Sequence, residues 1–358
     1  MAAALLPHFH RQTGLTSLVR FGEARREHLA PELAGIPVQL TPGGGYDGQF
    51  YAHMALHPPW IYHDLASHYD APSYRIRRVL LPAVAWAGGF GRPAWIVQVY
   101  ACLNLAAWLA MAWLLTLWLP LGNWMDFGRW CGCLLAAGVL ESLRASLTDL
   151  PALLLLLAAM RWLETRQPGK ACAFFAASIL TRETMALSVF GMLWPRDFRW
   201  RSFVRAALLG GLVLLPAAAW ILYESHYFPD GRGSPDNFSW PGVALVAGAA
   251  DAMRHLAGGQ DGARYTFRLI TLLAMAVQLG VIVTGWRRGL LWFRMAWPFM
   301  ALFPLLGSEV WDGPWAVWRA VLPVTVAFCF LLPATRWFWP LLVLGSLPSL
   351  DALIRLVF

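Results

Sequence analysis

The stretch "FVRAALLGGLVLLPAAAWILY", residues 203–223, decides the fold, because it is a nearly unbroken apolar run with no acidic residue. At 1.5 Å rise per residue, about 20 such residues match the hydrocarbon core of a bilayer. Two further runs read the same way: "YTFRLITLLAMAVQLGVIVTG" (265–285) and "AWIVQVYACLNLAAWLAMAWLLTLWL" (94–119). The whole chain of 358 residues follows suit, being 58% hydrophobic and only 13% charged, with a mean hydropathy of +0.52. A soluble domain carries about 25% charged residues. The expected fold is all-α: a polytopic helical membrane protein.

The formal net charge of +8 does not point to nucleic acid. Basic residues punctuate the apolar segments instead of forming a patch: Arg161, Arg166 and Lys170; Arg196, Arg199, Arg201 and Arg205; Arg287, Arg288 and Arg294; and Arg336. Loops of this kind mark the cytoplasmic side of a membrane protein, and many of the 21 Trp fall near segment ends, as interfacial belts require. The five cysteines all lie inside apolar segments and read as small buried hydrophobes. Cys131 and Cys133 are two apart, on different faces of a helix, and lack the spacing of a zinc site.

Shorter apolar pieces complete the count at 130–140, 150–163, in two halves of 171–194, and at 290–306, 320–334 and 337–357, giving about 10 membrane helices. Residues 79–90 are short and broken by Gly and Pro. The organisation is therefore a polar N-terminal segment (1–93), holding a candidate loop and interfacial helices, followed by a bundle (94–358) with a long loop at 224–264. With the basic loops in the cytoplasm, Asp47, Asp70, Glu141, Asp149, Glu183, Glu309 and Asp312 all fall on the opposite face. So do the arginines Arg144, Arg182 and Arg319. Placing the polar N-terminus there requires an apolar span upstream of Met1; a crossing by 79–90 would instead put residues 41–60 in the cytoplasm beside Arg75, Arg77 and Arg78, and the upstream span is the expectation.

The polar residues gather in a few places. "TPGGGYDGQFYAHMALHPPW" (41–60) carries an aromatic–carboxylate–amide cluster, Tyr46, Asp47, Gln49 and Tyr51, beside glycines suited to turns. It contains no phosphate-loop signature, and His53 and His57 lack the intervening Glu of a zinc protease. In "DAPSYRIRRVLLP" (70–82), Asp70 and Pro72 read as a helix cap and first turn. Arg75 and Arg78, three apart, share a face there, either snorkelling to headgroups or clamping a phosphate. Thr148 and Asp149 precede Pro151 at the head of an apolar helix, where capping competes with function. Arg182 and Glu183 split an apolar segment; ionisable groups at that depth are costly and usually face a cavity or a partner. As helix neighbours they do not face each other, so each is expected to engage another helix.

The elements "GYDGQFY" (45–51), "DAPSYRIRRVLLP" (70–82), "GRPAWIVQVYACLN" (91–104), "SLTDLPALLLLLA" (146–158) and "LTRET" (180–184) resemble a bacterial family of polytopic proteins implicated in cell-surface glycopolymer formation. That family is related to the GT-C superfamily of glycosyltransferases, which use polyprenyl-phosphate sugars. The resemblance covers roughly residues 15–200, and the C-terminal part only through "VWRAVLP" (317–323). It implies a GT-C-like bundle with an essential acidic residue in the first extracytoplasmic loop, by position Asp47, with Asp70 the weaker candidate. The chain departs from the pattern in lacking the helix that should precede that loop.

The resulting expectation is an inner-membrane glycosyltransferase with its active face periplasmic. Its partners would be a polyprenyl-phosphate-linked sugar donor, a glycan or lipid-linked acceptor, and membrane lipids. Asp47 would act as general base, and Arg75, Arg78, Arg182 and Arg319 would hold the phosphate. Tyr46, Gln49, Tyr51, Asp70, Asp149 and Glu183 complete the candidate binding residues. A clamped phosphate is an adequate leaving group, so no metal or other cofactor is required, although some GT-C relatives use a divalent metal. Single displacement with inversion follows by analogy. Two other classes stand beside this one: a transporter or flippase for a lipid-linked saccharide, and a non-catalytic subunit of an envelope assembly complex.

Overall fold

The structure is a computed structural model that describes residues 6–357 apart from 64–68, 196, 198, 229–236, 260–261 and 288. Arg196 and Arg288, and much of the 224–240 stretch, therefore lie outside or beside the described residues. The N-terminal part runs through short 3-10 turns and a two-residue parallel pairing of β1 (Phe21–Gly22) with β2 (Leu40–Thr41). From the polar island starts α1 (Gly48–Leu56), followed by α2 (Pro72–Ile76) and α3 (Leu80–Gly88). Next come α4 (Pro93–Leu115), α5 (Trp124–Leu134), α6 (Ala137–Arg144), α7 (Asp149–Glu164), α8 (Pro168–Thr181) and α9 (Ala186–Leu193). The chain continues through α10 (Trp200–Tyr227), α11 (Val243–Ala257), α12 (Gly262–Gly285), α13 (Leu290–Leu302), α14 (Ser308–Asp312) and α15 (Pro314–Ala320). It ends with α16 (Leu322–Leu331), α17 (Phe338–Gly345) and α18 (Pro348–Val357).

Among the described residues, only α4, α10 and α12 have the length and hydropathy to cross a bilayer alone. The pair α17–α18, bent by 57°, makes a fourth such span if taken together, and apolar pieces at 183–193, 290–305 and 322–331 are shorter. The expected figure of about 10 membrane helices is thus reduced to a coarser statement: a mostly helical protein with a few long apolar helices and several short ones. Prolines open α7's first turn, α8, α15 and α18, where a missing backbone donor costs nothing and the fixed φ favours a helix start. The loop expected at 224–264 also changes, since α10 runs on to Tyr227 and α11 occupies most of its second half.

Two apolar cores form. One, centred on Val19, Phe21, Tyr51, Met54, Ile76 and Tyr100, packs the N-terminal part onto α4. The other joins the remaining helices through Leu143, Leu153, Met295, Trp318 and Phe328. By contrast α10 leaves Leu208 at 70%, Leu215 at 62% and Leu222 at 72% exposed, a surface suited to lipid and unsuited to water. The cysteines divide: Cys133 and Cys329 are buried, Cys131 and Cys172 half-buried, and Cys102 is exposed on α4, contrary to the expectation that all five are buried. On a helix with a lipid-facing side, an exposed thiol remains in an apolar medium.

Candidate functional site

The site is assembled from segments that begin or end at one end of the bundle. Its first component is the turn before α1. Gly45 sits at φ +74, and a Cβ there would lie 2.5 Å from the Arg20 carbonyl. A Cβ on Gly48 would lie 2.1 Å from the Ala145 carbonyl oxygen, so the glycine lets α1 abut the loop between α6 and α7. Asp47 precedes α1 but its side chain makes no cap hydrogen bond. Its carboxylate reaches outward, with Oδ1 2.9 Å from Arg75 Nη2 and Oδ2 3.1 Å from Arg319 Nη2. Burial alone would raise the Asp47 carboxyl; the guanidinium groups of Arg75 and Arg319 more than offset it and hold it well below the usual carboxylate range.

The loop before α7 supplies the second carboxylate. Tyr100 Oη donates to the Ser146 carbonyl at 2.7 Å and Asn104 Nδ2 to the Leu147 carbonyl at 2.9 Å, so α4 fixes this loop. Ser142 Oγ accepts from the Leu150 amide at 3.0 Å and secures the start of α7. Asp149 is fully buried there and is not spent on capping: Arg319 Nε donates to it at 3.2 Å, and Arg182 pairs with its other oxygen. Ionic contact with two arginines, and not a helix cap, is its role in the structure.

Arg182 and Glu183 behave as their chain positions require. α8 ends at Thr181, and Arg182 adopts an extended backbone (φ −154) before a 3-10 turn at 183–185. That break turns the two side chains apart. Arg182 goes to Asp149 and to Thr184 Oγ1, at 3.1 Å, while Glu183 receives Arg78 through both carboxylate oxygens, at 2.9 and 2.7 Å. Arg78 is 2% exposed and also donates to the Tyr51 and Tyr74 hydroxyls. Arg75 binds Asp70 through Nε at 3.0 Å and Nη2 at 2.8 Å, and its guanidinium lies 4.8 Å from the Phe50 ring centroid. Asp70 hydrogen-bonds the adjacent Ala71 amide and does not cap α2, correcting the cap reading.

One continuous chain of contacts therefore runs Asp70–Arg75–Asp47–Arg319–Asp149–Arg182, with Arg78–Glu183 attached through the neighbouring backbone. Tyr46 joins it by accepting from Arg319 Nη1 at 3.2 Å. Of the residues expected from the sequence, Gln49 is occupied otherwise. Its Oε1 accepts from the Gly22 amide at 3.1 Å and its Nε2 donates to the Gly44 carbonyl at 2.8 Å, bracing the turn. His53 is buried against Phe21 and His57 contacts Glu32 at 2.8 Å. Among the described residues, no three His, Cys, Asp or Glu side chains gather to form a metal site.

Several further residues meet here that the sequence reading did not assign to the site, although it placed Glu141 and Arg144 on the same face. Glu141 binds Arg144 through both oxygens, at 2.6 and 3.1 Å, and Arg355 lies 3.4 Å away. Tyr74 is a partner of Arg78, and buried Glu224 lies 3.8 Å from Arg77. Arg355 and Glu224 each sit within an apolar helix, and that signal could have singled them out.

Searches with the whole chain match no protein-family model, no curated protein and no solved structure.

Proposed function

We propose that this protein is a membrane glycosyltransferase that moves a sugar from a polyprenyl-phosphate donor to a glycan or lipid-linked acceptor. The supporting observation is the bridging of Asp47 by Arg75 and Arg319, with Arg319 carried on through Asp149 to Arg182. Guanidinium groups offer paired donors suited to phosphate oxygens. In this reading the acceptor hydroxyl oxygen bonds to the anomeric carbon as the bond to the phosphate oxygen breaks. The electron pair leaves on the phosphate, stabilised by the arginines, and the hydroxyl proton passes to Asp47.

Asp47 as held in the structure is a weak base, since both of its oxygens face cations. Donor binding supplies the remedy. Arg75 divides itself between Asp47 and the more exposed Asp70, whose side chain is 36% accessible. A phosphate that takes Asp70's place draws Arg75 away from Asp47, and a carboxylate losing cationic neighbours gains basicity. The base is thus readied by the leaving group it must work with.

The lipid chain of the donor has a path. An apolar groove of about 320 Å³ lies between α9 and α10, running from Ala186 past Val189 and Phe190 to Trp194 and floored by Gly210 and Gly211. α9 begins three residues after Glu183, so the groove starts beside the charged cluster. The charge distribution along the α7–α8 hairpin fits an enzyme at one face better than a flippase. Asp149 and Arg182 mark one end, and the exposed Glu164 and Lys170 the other. With positive-inside orientation, the cluster faces the periplasm of a bacterial inner membrane, and this placement belongs to the same proposal.

Replacing Asp47 with Asn in the producing cell tests the reading. Loss of the glycan product with normal membrane abundance is the expected result. Unchanged product would favour the non-catalytic assembly subunit instead.

A further inference from the structure

The arginines Arg20, Arg144 and Arg355 form a group apart from the Asp47 cluster. Both groups contact Tyr46: Arg319 lies 5.6 Å from its ring centroid and Arg144 5.9 Å from the same ring. On the Arg144 side the carboxylates are Glu141, which both Arg144 and Arg355 already engage, and Asp351, which is bound to Arg355 at 2.7 Å. Three cations thus meet two anions, and the cation left over is Arg20. Among the described residues its guanidinium makes no hydrogen bond and no ion pair, although the residue is half-buried. Burial and then the like charge of Arg144 lower its pKa, while Glu141 opposes them.

The backbone is also arranged to keep Arg20 in place. It occupies the left-handed region at φ +60, unusual for a non-glycine residue, and its carbonyl accepts from the Tyr46 amide at 3.0 Å. Such conformations persist where the surroundings fix them, and they concentrate at ligand sites. The unpaired Arg20 nitrogens stay accessible, so an anion arriving from outside can pair with them and offset the like charge of Arg144. Arg355, with 24% of its side chain accessible, leaves the group reachable from outside.

We propose that Arg20, Arg144 and Arg355 form a second anion subsite, beside Tyr46, that takes a phosphate-bearing group. The proposal stands without the transferase reading. If that reading holds, the subsite suits a phosphate on the acceptor, because the donor phosphate has its own arginines in the Asp47 cluster. The phosphate can come from a lipid headgroup or from a soluble molecule.

The test uses the full chain in phosphatidylcholine nanodiscs, titrated with inorganic phosphate by calorimetry, and a parallel set containing phosphatidylglycerol, read by retained lipid in native mass spectrometry. Arg20→Gln is expected to weaken binding of at least one of the two at least tenfold, with an unchanged melting temperature and helix content, and Arg20→Lys to restore part of it. Arg75→Gln is expected to leave the Arg20-dependent event in place. Dependence in the phosphatidylglycerol arm assigns a lipid source, and dependence in the phosphate arm alone a soluble one. Binding unchanged by Arg20→Gln in both arms, or abolished by Arg75→Gln alone, overturns the proposal.

Discussion

Asp47 Oδ2 and Arg319 Nη2 lie 3.1 Å apart although 272 residues separate them in the chain. The same Arg319 holds Asp149 through Nε, so one guanidinium joins the turn before α1 to the start of α7. Such a planar donor fork serves two carboxylates at once; the point charge of a lysine would not. The contact ties the polar N-terminal segment to the helical bundle and brings together the groups from which the function is argued.

Asp149 should be the most damaging single residue to remove. It is fully buried between Arg182 and Arg319. Among the described residues, Asp149→Ala would remove the one carboxylate that Arg182 pairs with and one of the two that Arg319 pairs with. Breaking a buried ion pair by deleting one partner costs about 3–5 kcal/mol. The expected outcome is loss of the monodisperse peak in detergent size-exclusion chromatography, with Asp47→Asn retaining it.

Acid should act on Asp47 only below the ordinary carboxylate range. Its carboxyl is held down in the folded protein, by Arg75 and Arg319 against the opposing effect of burial. A depressed folded-state value contributes stability that is fully present above the unfolded value, near 3.9, and that is lost as pH falls below it. The melting temperature of the wild type should exceed that of Asp47→Asn by a constant margin from pH 8 to about 5. The margin should shrink at lower pH.

Arg78→Lys should behave as a severe substitution. Arg78 uses its fork on both oxygens of Glu183 and reaches the Tyr51 and Tyr74 hydroxyls as well. One ammonium cannot reproduce four directed contacts. Glycan output should fall at least tenfold at equal membrane abundance, while Arg77→Lys, at a partly exposed position, should have little effect.

Filling the groove between α9 and α10 should distinguish donors by chain length. Gly210 has only Leu193 near the position of a Cβ, at 3.9 Å, so Gly210→Leu adds bulk to the groove without a backbone clash. The apparent KM for a long-chain polyprenyl donor should rise several-fold, and that for a short-chain analogue should stay within about twofold, since each buried methylene is worth ~0.8 kcal/mol.

What the sequence made legible follows from the cost of burying charge. Asp149, Arg182, Glu183 and Arg319 interrupt apolar segments, and groups that expensive to desolvate must meet one another. Their convergence, like the separate destinations of Arg182 and Glu183, could be read before any coordinates. The long helices α4, α10 and α12 were equally plain from their length. Gln49 shows where such reading ends. Its amide braces Gly22 and Gly44, a contact across 27 residues that no local pattern announces. Arg20 was missed for a related reason: its importance lies in an imbalance of charge between distant segments, visible only once those segments are packed, whereas Arg355 carried a local signal in its apolar helix.

The most direct measurement is single-turnover release of polyprenyl phosphate from a polyprenyl-phosphate sugar by the purified full chain in nanodiscs, with donor binding followed in the same samples. The account predicts release by the wild type, and a loss of at least about 100-fold in Asp47→Asn, within the range for a general base, with the donor still bound. Equal release by both proteins, or no donor binding to the wild type, would contradict it.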